Sequence, residues 1–379
     1  MSFDKVYDRY HSDSAKYGYG VKEDQIPLTV ADTDFLTDDC IVKAIMKRLK
    51  HPLFGYVKDN HNWKKALTNF YERRFGLKMN PKNVVFASGV LASVTAFIRA
   101  FSLENDGIIL CSPIYDCFSS CITHCNRKVV DVPLLFENGS FYLDFANLEK
   151  EFKKKENKGF ILCSPHNPVG KCFDKEELTK LFRLAKENDV LILSDEIHGL
   201  ISSPGKKYLP SLCLEEGKDV LIMASSISKA FNTAGLQAAF AYADNPILKR
   251  RMKNQLGYDD CGEPNSFSLI ALEEAYKNGD SYLDEFNEYV YQNRLLAVKE
   301  LESLGFKVIK SDFTYLLWLD ASSFNLEEET LNEKLKEAGL LLVPGSKYGK
   351  SGKGYFRMNI ALPRNLLIEA LGRIKKALK

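Results

Sequence analysis

Lys229 is the residue whose neighbours most strongly indicate chemistry. It stands in the run SSISKAFN at residues 225–232, directly after the apolar segment 220–224 and shortly before Ala234 and Gly235. Because these neighbours place the ammonium group at the edge of a buried sheet, we expect its pKa to be lowered. A lysine with a lowered pKa can act as a Schiff-base nucleophile. The alternative is a surface lysine that ends a strand.

Two more polar groups follow apolar segments upstream of this lysine. The run 191–194 is followed directly by Asp195, and the run 159–163 leads into the turn SPHNPVG at residues 164–170, which contains Asn167. Parallel strands that read as nearly continuous apolar runs bring their carboxyl ends to one edge of a sheet. We therefore expect an amide, a carboxylate and an ammonium group to meet there.

The elements that position these groups follow an α/β pattern. Apolar strand-like runs alternate with amphipathic segments of helical length from about residue 83 onward, which is typical of a doubly wound, mostly parallel sheet. The runs stand at residues 84–87, 108–111, 160–163, 190–193 and 220–223. After about residue 280 a long charged helix-like segment, a β-rich stretch at 314–319 and a closing helix from 363 indicate a smaller second domain.

Composition limits the classes of partner and compartment. The chain has 379 residues, a formal net charge of +2 and 45% hydrophobic residues, so a nucleic-acid or anionic-membrane partner is not indicated. No apolar run approaches the length of roughly twenty residues that a membrane span requires, and because residues 1–5 begin polar we expect no targeting signal there. An odd number of cysteines, nine, favours a reducing compartment, so we expect a cytoplasmic protein.

Three of these cysteines recur at every fourth residue. Cys117, Cys121 and Cys125, with His124, would share one face of a helix. A soft-metal or redox site is one interpretation. Buried packing is the favoured one, because the paired two-residue spacing of common zinc motifs is missing and cysteine often packs as a small apolar residue. We therefore predict no metal.

The motifs together resemble a known family. The order of Asn167, Asp195 and Lys229 is similar to that of the fold-type I pyridoxal-phosphate enzymes, the aspartate aminotransferase or class I/II aminotransferase superfamily. Within it, the chain resembles the cystathionine β-lyase and cysteine-S-conjugate β-lyase subgroup of the maltose-regulon-modulator type. The matching segments, which span nearly the whole chain, are 3–4 with 8–9, 30–35, 54–56, 165–170, 194–198, 225–229, 231–237 and 357–361.

The resemblance implies a fold and an assembly. The fold is a fold-type I transferase with a large pyridoxal-phosphate-binding α/β domain at residues 50–280 and a small α+β domain at 281–379. The segment 1–49 packs with the small domain. The resemblance also implies a homodimer with shared active sites, in which Tyr56 reaches the phosphate bound by the neighbouring subunit.

The resemblance further assigns residues to pyridoxal 5′-phosphate and to an amino-acid substrate. Lys229 forms the Schiff base and is the catalytic base, and Asp195 keeps the ring nitrogen protonated. Arg357 binds the substrate α-carboxylate as a planar two-pronged donor, and Ala31 and Asp32 shape the pocket beside it. The remaining cofactor-binding residues are Tyr56, Val90, Leu91, Tyr115, Asn167, His198, Ser226 and Ser228.

The implied activity is a carbon–sulfur β-lyase that cleaves cystathionine or another cysteine S-conjugate to a thiol, pyruvate and ammonia. Gln237 supports this subgroup, because many aminotransferases of this fold carry a phosphate-binding arginine eight residues after the lysine. An aminotransferase on the same scaffold is the alternative. A regulatory protein that binds cofactor and a partner protein is a further one, although the retained lysine, aspartate and arginine favour catalysis.

Overall fold

The computed structural model describes residues 3–18 and 20–379. Its helices are bounded by local signals such as the capping box at Asp174 and Glu177, where each side chain bonds the other residue's backbone N–H. The helices are α1 (Asp39–Leu49), α2 (Asn62–Phe75), α3 (Val90–Phe101), α4 (Asp116–His124), α5 (Phe145–Phe152), α6 (Lys175–Glu187), α7 (Pro246–Tyr258), α8 (Ser268–Asn278), α9 (Asp280–Ser303), α10 (Glu328–Glu337) and α11 (Arg364–Ala377). In the described residues no helix is long and apolar enough to cross a membrane.

Most strands belong to two sheets. The strands are β1 (Ile26–Pro27), β2 (Val84–Ala87), β3 (Gly107–Leu110), β4 (Lys128–Asp131), β5 (Leu135–Glu137), β6 (Ser140–Tyr142), β7 (Asn157–Cys163), β8 (Leu191–Asp195), β9 (Leu221–Ser226), β10 (Ala239–Tyr242), β11 (Lys307–Val308), β12 (Leu316–Asp320), β13 (Leu340–Leu341), β14 (Val343–Pro344) and β15 (Tyr355–Asn359). The large sheet has the order β2-β10-β9-β8-β7-β3-β4, and only β10 runs antiparallel to its neighbours. The predicted mostly parallel α/β sheet is confirmed.

The large sheet is covered on both faces. In β2, Val84 and Phe86 belong to one hydrophobic cluster, whereas Val85 and Ala87 belong to a second. Successive side chains of a strand point to opposite faces, so an apolar residue at every position requires helices on both sides. The same alternation recurs in β3, β7, β8 and β9. The apolar runs in the sequence are therefore the strands of a doubly wound sheet.

A smaller antiparallel sheet has the order β11-β12-β15-β14 and contains Arg357 in β15. The amino-terminal segment lies against this carboxyl-terminal part, because β1 pairs in parallel with β13. Phe3 also packs among the rings of Tyr282, Phe286 and Tyr289. The division into domains at residues 49 and 280 stays a prediction.

Candidate active site

Lys229 lies three residues beyond the end of β9, in the loop that leaves the sheet. Its Nζ donates a hydrogen bond of 2.7 Å to the carbonyl oxygen of Ala31. Burial is the main cause that lowers the pKa of Lys229, and the positive charge of Arg357 lowers it further. A lysine in this environment holds its proton less strongly than a solvent-exposed lysine.

Asp195 ends the neighbouring strand β8 and is paired in register with Cys163 of β7 and Ala224 of β9. Its carboxylate is buried and accepts one hydrogen bond of 2.9 Å, from the N–H of Ile197. Burial raises the pKa of Asp195 to about 6, against the opposing effects of that N–H and of Lys229. A positively charged partner would replace the lost hydration of this carboxylate.

Asn167 and Arg357 contact each other although 190 residues separate them. The guanidinium Nη1 of Arg357 donates to Asn167 Oδ1 at 3.0 Å, and Nη2 donates to the carbonyl of Thr29. The guanidinium also lies over the ring of Tyr348, with 5.3 Å from Cζ to the ring centroid. Its buried Nε has no hydrogen-bond partner among the described residues. Arg357 is therefore a buried, oriented cation with an unused donor.

The amino-terminal end of α3 supplies backbone amides. The first N–H groups of a helix have no acceptor within the helix, and the cap residue Gly89 offers no side chain to bond them. Val90 and Leu91 are the first two residues of this helix. The positive end of the helix dipole adds to the attraction for an anion.

His198 and Tyr115 complete the side of the site that faces the large sheet. His198 is buried, its Nδ1 has no hydrogen-bond partner in the part of the chain that the structure describes, and its ring lies edge-on to that of Tyr315 at 6.1 Å. Burial, followed by the charges of Lys229 and Arg357, holds the pKa of His198 well below its usual value, so the ring is neutral. Tyr115 precedes α4, and its ring contacts that of Phe118.

These groups line one cavity of about 410 Å³. It is bounded by five segments at the carboxyl edge of the large sheet, which end or follow β2, β3, β7, β8 and β9, by residues 29–31 and by residues in and next to the smaller sheet. Of the predicted site residues, its lining contains Ala31, Val90, Leu91, Tyr115, Asn167, Asp195, His198, Lys229 and Arg357. Residues far apart in the sequence thus form a single concave site of the size that small-molecule ligands occupy.

Four predicted residues lie outside this lining. Ser226 is buried, donates to the carbonyl of Ala238 at 2.7 Å and accepts the N–H of Ser228 at 3.0 Å, so both shape the loop that carries the lysine. The Asp32 carboxylate instead pairs with Arg9 at 2.9 Å, because the amino-terminal segment brings cations to it.

The fourth, Tyr56, is fully exposed and lines a separate groove of about 640 Å³. That groove also contains Phe54, Gly235, Leu236 and Phe267. The geometry therefore gives Tyr56 no place in the cavity of its own chain.

Several residues that line or support the cavity were not predicted from the sequence. Tyr348 lies under Arg357, Tyr315 donates to Ala31 O at 2.9 Å, and Asp116 and Lys347 also line the cavity. A tyrosine within an apolar segment is predicted to pack in the core, and an isolated acid or lysine is predicted to lie on the surface. The one available signal was the position of Asp116 directly after Tyr115.

The three cysteines of α4 and its cap have separate surroundings. Cys117 lines the cavity, whereas Cys121 and Cys125 pack against the hydrophobic cluster on one face of the large sheet. Burial raises the pKa of both Cys121 and Cys125. Among residues 3–18 and 20–379, no group of three or more histidine, cysteine or acidic side chains could hold a metal ion.

The residues present fit pyridoxal phosphate. The uncapped end of α3 suits a phosphate, and the buried carboxylate of Asp195 suits a protonated ring nitrogen. The buried Nδ1 of His198 and Nε of Arg357 are polar atoms without hydrogen-bond partners within residues 3–18 and 20–379. The amine of Lys229, which lines the same cavity, suits a cofactor that binds through a Schiff base.

Comparison with known proteins points in the same direction. The model of the family "aminotransferase class I and II" matches residues 23–374. Cystathionine β-lyase PatB of Bacillus subtilis is 34% identical over 387 residues, which cover 100% of both chains.

Solved structures add the fold. A PLP-bound protein of Clostridium difficile 630, provisionally named an aminotransferase, superimposes with a TM-score of 0.95 at 34% identity and covers 100% of this chain and 99% of that one. The PLP-bound C-S lyase of Staphylococcus hominis superimposes with a TM-score of 0.92 at 29% identity and covers 100% of this chain and 98% of that one. The fold is that of the fold-type I transferases, and the cofactor is pyridoxal 5′-phosphate.

Proposed function

Because the chain belongs to the class I and II aminotransferase family, we propose that it is a pyridoxal-phosphate-dependent carbon–sulfur β-lyase acting on cystathionine or another cysteine S-conjugate. The observation that carries the proposal is the convergence of Lys229, Asp195 and Arg357 on one cavity. The full-length similarity to a cystathionine β-lyase supports this choice of reaction.

We assign the cofactor contacts from this geometry. Lys229 would hold the cofactor through Nζ, and Asp195 would pair with its ring nitrogen. The amides of Val90 and Leu91 would bind its phosphate. The remaining groups proposed to contact its ring or phenolic oxygen are Tyr115, Asn167 and His198. When bound, pyridoxal phosphate supplies an aldehyde that captures amino groups and a ring that stabilises negative charge at the substrate Cα.

Lys229 has the second task of moving a proton. Its Nζ would take the Cα proton of the substrate as a general base. The lowered pKa increases the fraction of neutral amine at a given pH, and neutral amine is the form that accepts a proton. Lys229 is half-buried in the cavity wall, which limits the access of bulk water to its amine.

Arg357 orients the substrate. A guanidinium holds a carboxylate by two parallel hydrogen bonds, which fixes the direction of the Cα–H bond. Its contact with Asn167 holds the side chain in place from one side, and the ring of Tyr348 supports it from another. The substrate carboxylate would replace the bond to the Thr29 carbonyl.

The overall reaction consumes one cysteine S-conjugate and one water. The Cβ–S bond breaks, the sulfur leaves as a thiolate that becomes a thiol, and the three-carbon fragment becomes pyruvate and ammonia. No electron acceptor is required, because the products together have the same overall oxidation state as the substrate and water.

The enzyme would act as a homodimer. Leu53, Phe54 and Tyr56 are all exposed, and they belong to the segment whose groove contains Gly235 and Leu236. Contact with a second copy would bury these apolar side chains and bring Tyr56 to the phosphate of the other subunit. The cytoplasmic location and the lack of a nucleic-acid partner stay predictions from the sequence.

The test is product analysis with cystathionine and purified holoenzyme. We expect pyruvate, ammonia and a thiol in equal amounts without any keto-acid acceptor. An aminotransferase would instead release a keto acid that retains the sulfur, and only when an amino acceptor is supplied. The second result would replace the lyase assignment.

A further inference from the structure

Two opposite charges in the cavity lining have no part in the chemistry proposed at Cα. Asp116 and Lys347 both line the cavity, and their Oδ2 and Nζ atoms lie 3.7 Å apart. Their side chains are 34% and 60% exposed, so this ion pair faces solvent. By contrast, Asp195, Lys229 and Arg357 are the charged groups assigned above to the cofactor and to the proximal end of the substrate.

The fold places this pair beside two of the cavity's aromatic rings. Asp116 is the first residue of α4 and directly follows Tyr115. Lys347 directly precedes Tyr348, whose ring lies under Arg357. The two charges come from chain segments more than 200 residues apart, and they meet at the exposed part of the site.

An exposed ion pair is easily exchanged for a ligand. Such pairs contribute about 0–1 kcal/mol, because water and salt screen the attraction. At 3.7 Å the pair is longer than a hydrogen bond. A ligand with one cation and one anion could therefore insert between the two side chains and gain two contacts at little cost. The ordinary alternatives are an acid that favours a helix amino terminus and a surface lysine.

We propose, on the basis of the function assigned above, that Asp116 and Lys347 bind the distal amino-acid headgroup of a cystathionine-type substrate. Its leaving thiol carries an ammonium and a carboxylate on one carbon atom. Asp116 accepts hydrogen bonds from the ammonium group, and Lys347 donates to the carboxylate. Arg357 takes the proximal carboxylate, so the two ends of the substrate are distinguished.

The remaining lining suits the chain that joins the two headgroups. Val30, Cys117 and Val343 also line the cavity, and their side chains are small and largely apolar. A thioether with its methylene groups prefers such surroundings. The preferred substrate class is therefore a cysteine S-conjugate whose thiol bears a zwitterionic headgroup.

The experiment compares four substrates by kcat/KM for pyruvate release from holoenzyme. They are cystathionine, S-(2-carboxyethyl)cysteine, S-(2-aminoethyl)cysteine and S-methylcysteine. We expect Lys347→Gln to lower the value about threefold to tenfold for the two conjugates with a distal carboxylate. Asp116→Asn should lower kcat/KM by a similar factor for the two conjugates with a distal amine, cystathionine and S-(2-aminoethyl)cysteine.

For S-methylcysteine, which has no distal charge, kcat/KM should change less than about twofold in either variant. Lys350→Gln is the matched control, because it removes an exposed positive charge three residues away and outside the cavity lining. This variant should leave kcat/KM unchanged for all four substrates. The visible cofactor spectrum should be the same for every variant.

The outcomes separate the two proposals. Equal losses for all four substrates, or no preference of the wild-type enzyme for cystathionine over S-methylcysteine, would overturn the headgroup assignment and leave the lyase intact. A lack of pyruvate from every conjugate would overturn the lyase itself. Loss of cystathionine turnover in Lys350→Gln would show that general surface charge, and not this pair, attracts the substrate.

Discussion

The cavity floor and the segment 53–56 are built in opposite ways. At the floor, Asp195, Asn167 and Arg357 are at most 5% exposed, and each has a hydrogen bond that fixes it. In the segment, Leu53 is 69% exposed and the Tyr56 side chain is fully exposed. The floor residues have hydrogen-bond partners within their own chain, whereas the segment 53–56 presents apolar groups to solvent.

This difference separates two kinds of function within one site. Buried groups with shifted pKa values perform chemistry that requires exact orientation and little water. Exposed apolar groups next to a groove are typical of a surface that another molecule covers. We infer that changes at the floor alter turnover in each subunit, whereas changes in the segment act across a subunit contact.

The largest effect is expected at Asp195. Asp195→Ala should still bind cofactor, yet slow Cα deprotonation by several orders of magnitude, because an unprotonated ring nitrogen withdraws electrons poorly. Single-turnover kinetics would measure this, with Asp195→Asn to separate lost charge from lost volume. A fall of less than about tenfold, or about 1.4 kcal/mol, would mean that Asp195 is not the partner of the ring nitrogen.

Arg357 should give the next largest effect. Arg357→Lys retains the charge but loses the two-pronged geometry, so we expect kcat/KM to fall about a hundredfold and kcat to fall as well. Steady-state pyruvate release from cystathionine measures both, beside a cofactor spectrum. If the variant loses cofactor but regains near-normal kinetics after reconstitution, Arg357 is structural and the α-carboxylate is held elsewhere.

Tyr56 provides the test of the exposed region. Tyr56→Phe should weaken cofactor retention about tenfold, since one hydrogen bond to the phosphate is lost. Heterodimers of this variant with Lys229→Ala should recover activity, because one of their two sites has both intact residues. Tyr258→Phe is the control, as Tyr258 is 80% exposed elsewhere on the surface. Verified heterodimers without recovery would place Tyr56 outside any shared site.

The last prediction concerns stability instead of activity, and the residue is Glu196, the buried neighbour of Asp195. It accepts hydrogen bonds from Ser194 and Tyr208, both at 2.9 Å. Burial raises the pKa of Glu196 to about 8 from an ordinary value of 4.5, so the folded state binds a proton that the unfolded state releases. Its stabilising contribution is complete below about pH 4.5 and is lost as the pH rises through about 8.

Urea unfolding at pH 5, 6.5 and 8 would measure this contribution. The free energy of unfolding should decline more steeply with pH in the wild type than in Glu196→Gln, by at most about 1.4 kcal/mol per pH unit. The glutamine keeps the volume and the acceptor oxygen without a titrating proton. Identical slopes in the two proteins would mean that Glu196 is ionised in the folded state.

The sequence predicted the residues at the cavity floor better than the exposed pair Asp116 and Lys347. Asn167, Asp195 and Lys229 follow apolar runs, and parallel strands bring such positions to one edge. The contact of Asp116 with Lys347 was not predictable, because neither residue stands in a periodic pattern and no rule links their segments. The partner of Asp32 was missed for the same reason, since Arg9 lies in a segment without regular secondary structure.

The central claim is that Lys229 holds the cofactor in this cavity. Borohydride reduction of the purified holoenzyme, followed by peptide mass analysis, tests it directly, because reduction fixes the cofactor to the amine that binds it. We predict that the label lies on Lys229 and that the visible cofactor absorbance disappears. Label on a different lysine, or an unlabelled Lys229 in a protein that has bound cofactor, would contradict the account.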